Sequence, residues 1–141
     1  MVTRLCLVRH AETDWNRQGR LQGRTDIALN ATGLASSRAV GARLAAHEWD
    51  GIVSSPLRRA AQTAEVLRDA ADIPFCGTES LLVERCYGAA EGLTSRERGR
   101  RFPDGIVPGL EPRAGAAARG LAALAALRVQ RSGARLLVVV T

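Results

Sequence analysis

Lysine is absent from this chain: all 20 basic residues are arginine, set against 14 acidic ones for a net charge of +6. An arginine surplus favours anionic partners, a phosphorylated metabolite or nucleic acid, and charge alone does not choose between them. Cysteine is scarce as well. Cys6, Cys76 and Cys86 are odd in number and widely spaced, which excludes the paired spacing of metal-binding or redox motifs and fits a reducing compartment. No apolar run approaches the ~20 residues of a membrane span, and Arg4 with the short apolar run after it lacks the length of a signal peptide. The expectation is a soluble, cytoplasmic protein with no membrane partner.

The 141 residues, 46% of them hydrophobic, suffice for one domain over 1–141 with a real core. Leu5-Cys6-Leu7-Val8 reads as a short buried strand that stops at Arg9 and His10. A polar, glycine-bearing loop covers 17–30. The segment 31–47 reads as a helix with Thr32 as N-cap and Leu34, Val40, Leu44 and Ala45 on one stripe. Ile52 to Ser55 reads as a second buried strand, and Pro56 suits the first turn of a helix that runs to about Asp69. Ile73-Pro74-Phe75 and Ser80 to Val83 suggest a third extended element delivering Glu84 to a loop. A short helix and an irregular loop follow over 95–112. An Ala/Leu helix from Arg113 to Gln130 ends at Ser132-Gly133, and 135–141 reads as a strongly buried strand. This alternation predicts an α/β fold with a mainly parallel sheet and helices on both faces.

In such a sheet the carboxyl ends of the strands share one edge, where ligands bind. Arg9 and His10, Arg59, and Glu84 come from three separated segments that this topology can bring to one anion. Arginine offers phosphate a fork of donors, and a neutral histidine offers a nucleophilic nitrogen, which together suggest transfer through a phosphohistidine. Taken singly, each has a bland reading: a hydrogen-bonded structural histidine, a solvated helix arginine, a loop carboxylate. Glu12 and Asp14 read as helix-start or solvent carboxylates, because a second acid would repel phosphate. Trp15 reads as packing and Cys86 as an inert packed thiol. The run Arg96, Arg98, Arg100, Arg101 is broken by Glu97 and has only Phe102 as an aromatic neighbour, so it reads as a solvated face rather than a nucleic-acid surface.

Five ordered motifs carry a family resemblance. The first is Arg9-His10-Ala11-Glu12-Thr13-Asp14-Trp15-Asn16, with Ala11 where glycine is commoner. Leu21-Gln22-Gly23 and Leu29-Asn30-Ala31-Thr32-Gly33 follow. Then come Ser55-Pro56-Leu57-Arg58-Arg59-Ala60-Ala61-Gln62-Thr63-Ala64 and Leu82-Val83-Glu84-Arg85-Cys86-Tyr87-Gly88. The chain resembles the histidine phosphatase superfamily in its phosphoglycerate mutase-like branch.

That resemblance implies the following. His10 attacks phosphorus in line, while Arg9, Arg59, Asn16, Gln22 and Gly23 hold the phosphoryl oxygens. Arg85 and Tyr87 join the substrate-binding set. Glu84 protonates the leaving oxygen and then activates water. No metal and no cofactor are implied. The family's second histidine normally follows a strand ending in Val-Val-Thr, and this chain stops at Thr141; His47, placed in the first crossover helix, is not its substitute. The C-terminal part of the fold is accordingly expected to be missing, leaving an open sheet edge that invites homo-oligomer formation. The favoured reading is a phosphomonoesterase acting on a small phosphorylated metabolite, with no nucleic acid partner. The stretch from Glu84 to Thr141 is short for the insertion typical of a phosphoglycerate mutase. A mutase and a phosphate-binding remnant with little turnover are the alternatives.

Overall fold

The computed structural model describes residues 2–141. Strands β1 (Arg4–Arg9), β2 (Gly51–Ser54), β3 (Phe75–Thr78) and β4 (Arg135–Val140) form one sheet in the order β1-β4-β2-β3, every pairing parallel. The central place of β4 follows from its sequence. Leu136, Leu137, Val138 and Val139 are apolar on both faces of the pleat, which only a strand covered on both sides can bury, and all four are buried. Val139 pairs with Val8 on one side and Ser54 on the other, so β1, β4 and β2 end together and Arg9-His10, Ser54-Ser55 and Val140-Thr141 share one rim.

Helices α2 (Ala31–Leu44) and α3 (Arg58–Ala71) cover one face, where Ala60, Ala64 and Leu67 meet Ile52, Leu137 and Val139. Helix α5 (Arg113–Gln130) covers the other, setting Ala123 and Leu127 against Val53, Leu136 and Val138. Two short helices, α1 (Asp14–Arg17) and α4 (Ser95–Arg101), belong to the connections. The α/β class and the parallel sheet with helices on both faces are as the alternation predicts. β1 is an outer strand, and Leu7 on it is exposed.

Several local expectations are corrected. The N-cap of α2 is Asn30, not Thr32: its side chain accepts from the Gly33 N–H at 2.8 Å. The buried stripe of α2 is Gly33, Ser37 and Gly41, while Val40 is exposed. Small residues four apart let α2 approach closely, since a Cβ on Gly41 would lie 2.6 Å from the Cβ of Ala70 on α3. The helix ends at Leu44, which leaves His47 in the turn beyond it. Ser80–Leu82 is a turn of 3-10 helix rather than extended chain, because the Glu79 side chain caps it by accepting from Leu81 N–H at 3.0 Å. Pro56 stands just outside α3, whose N-cap is Leu57.

Candidate active site

His10 follows the last residue of β1, and its N–H donates to the Val140 carbonyl at 2.9 Å, which carries the parallel pairing one residue past the strand. The side chain is buried. Nδ1 donates to the Ala11 carbonyl at 2.7 Å, so the lone pair lies on Nε2. Burial draws the ring's pKa from 6.5 down to about 4; the Ala11 carbonyl opposes this, and the positive charges of Arg59 and Arg9 add to it. At neutral pH the imidazole is therefore uncharged, the state in which Nε2 is nucleophilic.

The residue after it is pinned from α3. The Ala11 N–H donates to Thr63 Oγ1 at 3.1 Å, and that hydroxyl donates to the Arg59 carbonyl one turn back at 2.7 Å. Thr63 thus ties the nucleophile loop to the helix that supplies Arg59, a role its place in the fourth motif hints at only in retrospect.

Arg59 is completely buried. Its Nη1 donates to the Thr25 carbonyl at 3.0 Å and its Nη2 to the Gly23 carbonyl at 2.8 Å, whereas Nε has no partner. Burial lowers the guanidinium's pKa, and the carboxylates of Glu84, Asp26 and Glu91 raise it. Arg9 is exposed and makes no side-chain hydrogen bond among the described residues. Both amide oxygens nearby turn to one hydroxyl. Thr13 Oγ1 lies 3.0 Å from Asn16 Oδ1 and 2.7 Å from Gln22 Oε1, and its single proton serves one of them. The Asn16 and Gln22 nitrogens are left to donate elsewhere.

Gly23 is required where it stands. It has φ +53°, and a Cβ there would meet the Glu91 carboxylate. Glu91 accepts from Arg24 N–H at 3.0 Å, Thr25 N–H at 2.9 Å, Thr25 Oγ1 at 2.5 Å and Tyr87 N–H at 3.1 Å. Burial pushes its pKa up, but these hydrogen bonds, that of the Thr25 hydroxyl foremost, hold it below the usual carboxylate value. Glu91 stitches the loop bearing Gln22 and Gly23 to the segment bearing Glu84.

The Glu84 segment is held by a second device. Arg119 on α5 grips Glu111 with Nε and Nη2, at 2.8 and 2.9 Å, and its Nη1 donates to the carbonyls of Leu81 and Val83 at 2.8 and 3.1 Å. Glu111 in turn accepts from Cys86 N–H at 3.0 Å, and its carbonyl accepts from Arg85 Nε at 2.7 Å. The Arg119 hydrogen bond, with that of Cys86, draws the Glu111 carboxyl down to about 2. In sequence the two residues are an ordinary loop acid and an ordinary helix arginine; nothing before folding marks the pair.

Arg9, His10, Ala11, Glu12 and Asn16 line an open cleft of about 380 Å³ at the end of β1. Glu84, Arg85 and Tyr87 line a separate cleft of about 570 Å³. Arg59 is coupled to a residue of each: its charge lowers the His10 pKa, and the Glu84 charge raises its own. Glu12 accepts from Asn30 Nδ2 at 2.8 Å, and Asp14 opens α1 and pairs with Arg17. Trp15 packs against Gly92. Arg96, Arg100 and Arg101 are exposed, but Arg98 is half-buried and turned into the Glu84 cleft, so the solvated-face reading fails for that one residue. Among the described residues no group of three or more His, Cys, Asp or Glu side chains could hold a metal ion, and no helix is long and apolar enough to cross a membrane.

The model of the histidine phosphatase superfamily (branch 1) matches residues 5–141, and the chain belongs to that superfamily. It is 47% identical over 110 residues to the uncharacterized phosphatase PhoE of Bacillus subtilis, an alignment covering 78% of this chain and 56% of that protein. It is 36% identical over 104 residues to the metal-independent phosphoserine phosphatase of Arabidopsis thaliana, covering 73% of this chain and 44% of that protein. The chain thus spans about half the length of the curated relatives it matches. Among solved structures, YhfR of Bacillus stearothermophilus superposes with a TM-score of 0.91 at 30% identity, covering 99% of this chain and 74% of that one.

Proposed function

We propose that this chain belongs to a phosphomonoesterase that removes the phosphoryl group from a small phosphorylated metabolite by way of a phosphohistidine at His10. The observation that carries this reading is the state of His10: buried, uncharged, with Nδ1 committed to the Ala11 carbonyl and two arginine charges acting on it. A neutral nucleophile in a positive field suits an anionic phosphorus centre, and the unpartnered Nε of Arg59 is a donor buried without its acceptor.

In the first half-reaction Nε2 bonds to phosphorus as the ester P–O bond breaks in line, and the leaving oxygen takes the proton of the Glu84 carboxyl. Arg9, Arg59 Nε and the free amide nitrogens of Asn16 and Gln22 hold the phosphoryl oxygens, with Gly23 keeping that loop close. Arg85 and Tyr87 face the departing group. In the second, the Glu84 carboxylate takes a proton from water, the water oxygen bonds to phosphorus and the P–N bond breaks, returning neutral His10 and inorganic phosphate. A phosphoglycerate mutase would differ in handing the group to a second substrate oxygen.

The test is to incubate the protein with a radiolabelled phosphomonoester, quench in alkali and look for acid-labile label. The expected result is label that disappears in His10→Ala. Label that persists in that variant overturns the nucleophile, and release into a second organic acceptor instead of water would make the activity that of a mutase.

A further inference from the structure

Among the described residues β1 has a neighbour on one side only, and its free side is unguarded. The other outer strand shows the contrast. β3 has four residues, follows Pro74, shifts register against β2 between Ile52 and Ser54, and carries Gly77 at φ +104°. Short length, prolines and bulges keep a strand edge from recruiting a second chain. β1 instead runs six residues in unbroken register with β4, without proline, glycine or a positive φ, and its charges, Arg4 and Arg9, stand only at its two ends.

That register fixes where the backbone groups of β1 point. The Arg4 N–H donates to the Ala134 carbonyl and the His10 N–H to that of Val140. In a parallel ladder Arg4, Cys6 and Val8 therefore spend their groups on β4, while Leu5, Leu7 and Arg9 turn theirs to the free edge. Leu5 packs against the core on the α5 face, and Leu7, on the same face, is 54% exposed. On the opposite face Cys6 and Val8 are only partly buried, and the neighbouring Val40 of α2 is exposed.

We infer that two copies of the chain pair antiparallel along β1, about a two-fold axis at Cys6. In this register Leu5 of one copy exchanges N–H···O=C bonds with Leu7 of the other, Cys6 faces Cys6, Arg4 faces Val8 and Arg9 faces Thr3. Leucine meets leucine, and no two like charges are opposed. A slip of one residue sets outward groups against inward ones, and a slip of two sets a leucine opposite Arg9 or Thr3. The two sheets become one whose outer strands are both β3, so the assembly closes at two. The contact strip is ~24 Å long and one layer of side chains deep on each face, short of the ~1,000 Å² of a stable complex, which sets Kd at ~10–100 μM. Arg9 both joins the pairing and lines the open cleft at the end of β1, so the second copy borders that cleft.

Sedimentation velocity of the intact chain from ~1 to ~300 μM should show a monomer passing to a dimer and nothing larger. Leu7→Pro deletes an N–H that the monomer does not use, and Leu7→Arg sets a charge at the contact. Each should raise Kd at least ~10-fold while the amides of β4 keep their hydrogen-exchange protection; if Leu7→Pro loses that protection, Leu7→Arg decides. Residues facing each other in a non-hydrogen-bonded antiparallel pair have Cα atoms ~4.5 Å apart, within disulfide reach. Diamide, which takes up the two thiol hydrogens, should therefore join Cys6 to Cys6 in the wild type and in Cys76→Ser/Cys86→Ser, and give no linked dimer in Cys6→Ser. A monomer at every concentration leaves the edge to another occupant and overturns the inference. So do growth past the dimer, a dimer indifferent to both Leu7 variants, or a cross-link that survives in Cys6→Ser.

Discussion

The depressed pKa of His10 can be measured twice over, directly and through stability. In the folded chain the ring titrates at about 4 instead of 6.5. The unfolded chain therefore binds more protons between those limits, and stability rises with pH across them. His10 contributes its full share above pH 6.5, and that share drains away as the pH falls toward 4. With 1.36 kcal/mol for each pKa unit the whole displacement is worth ~3 kcal/mol, of which ~2 kcal/mol is lost by pH 5. Urea denaturation at pH 7.5 and at pH 5 includes every other titrating group, so the quantity to read is the wild type's pH dependence minus that of His10→Asn. It should come to ~2 kcal/mol, with the wild type losing more. The chain has only two histidines, His10 and His47. An NMR titration resolves both ring signals, and the variant identifies which belongs to His10. A His10 signal with its midpoint near 6.5, or wild type and variant with equal pH dependence, would refute the claim that the ring is desolvated and flanked by two cations.

Three further outcomes follow from the packing and the loop clamps. Gly33→Ala puts a Cβ 2.2 Å from the Glu12 carbonyl, backbone that must move; a loss of ~1–3 kcal/mol in urea denaturation is expected, with weakened inorganic phosphate binding because Glu12 lies two residues from His10. Gly41→Val, which drives α2 from α3, should cost a similar ~1–3 kcal/mol with phosphate binding kept. Arg119→Met deprives Glu111 and the carbonyls of Leu81 and Val83 of their donor, so the Cys86 and Tyr87 amides should exchange hydrogen faster while the amides of β4 hold their protection; unchanged exchange at Cys86 would show that Arg119 does not hold the segment.

What the chain discloses before folding depends on how local the cause is. Helix α5 runs from Arg113 to Gln130 as read, because an Ala/Leu run followed by Ser132-Gly133 determines both its length and its stop. β4 is equally plain, since four consecutive apolar residues can be satisfied only between two covered faces. The buried side of α2 departs from its apolar stripe because periodicity counts apolar side chains, and where two helices touch closely the contact belongs to glycine and serine. Arg98 was hidden among its neighbours for a related reason: which member of an arginine run turns inward is decided by where α4 lies, not by the run. The Glu111–Arg119 and Glu91 clamps depend on segments far apart in sequence whose meeting no local pattern records. Arg59 was legible as a pocket residue by motif, but its total burial and its grip on the 23–25 loop required the fold.

The short contact between His10 Nδ1 and the Ala11 carbonyl has one more consequence, which concerns regiochemistry. Imidazole forms two phosphoramidate isomers, and chemistry in solution yields both. Here one nitrogen is occupied by a backbone acceptor that cannot rotate away without breaking the junction between β1 and its loop, so a phosphoryl group accepted by this ring sits on Nε2 alone. Phosphorus NMR of the trapped protein, or an antibody raised against a single isomer, would therefore report one species, and a mixture would mean that label reached a histidine which had lost its native setting.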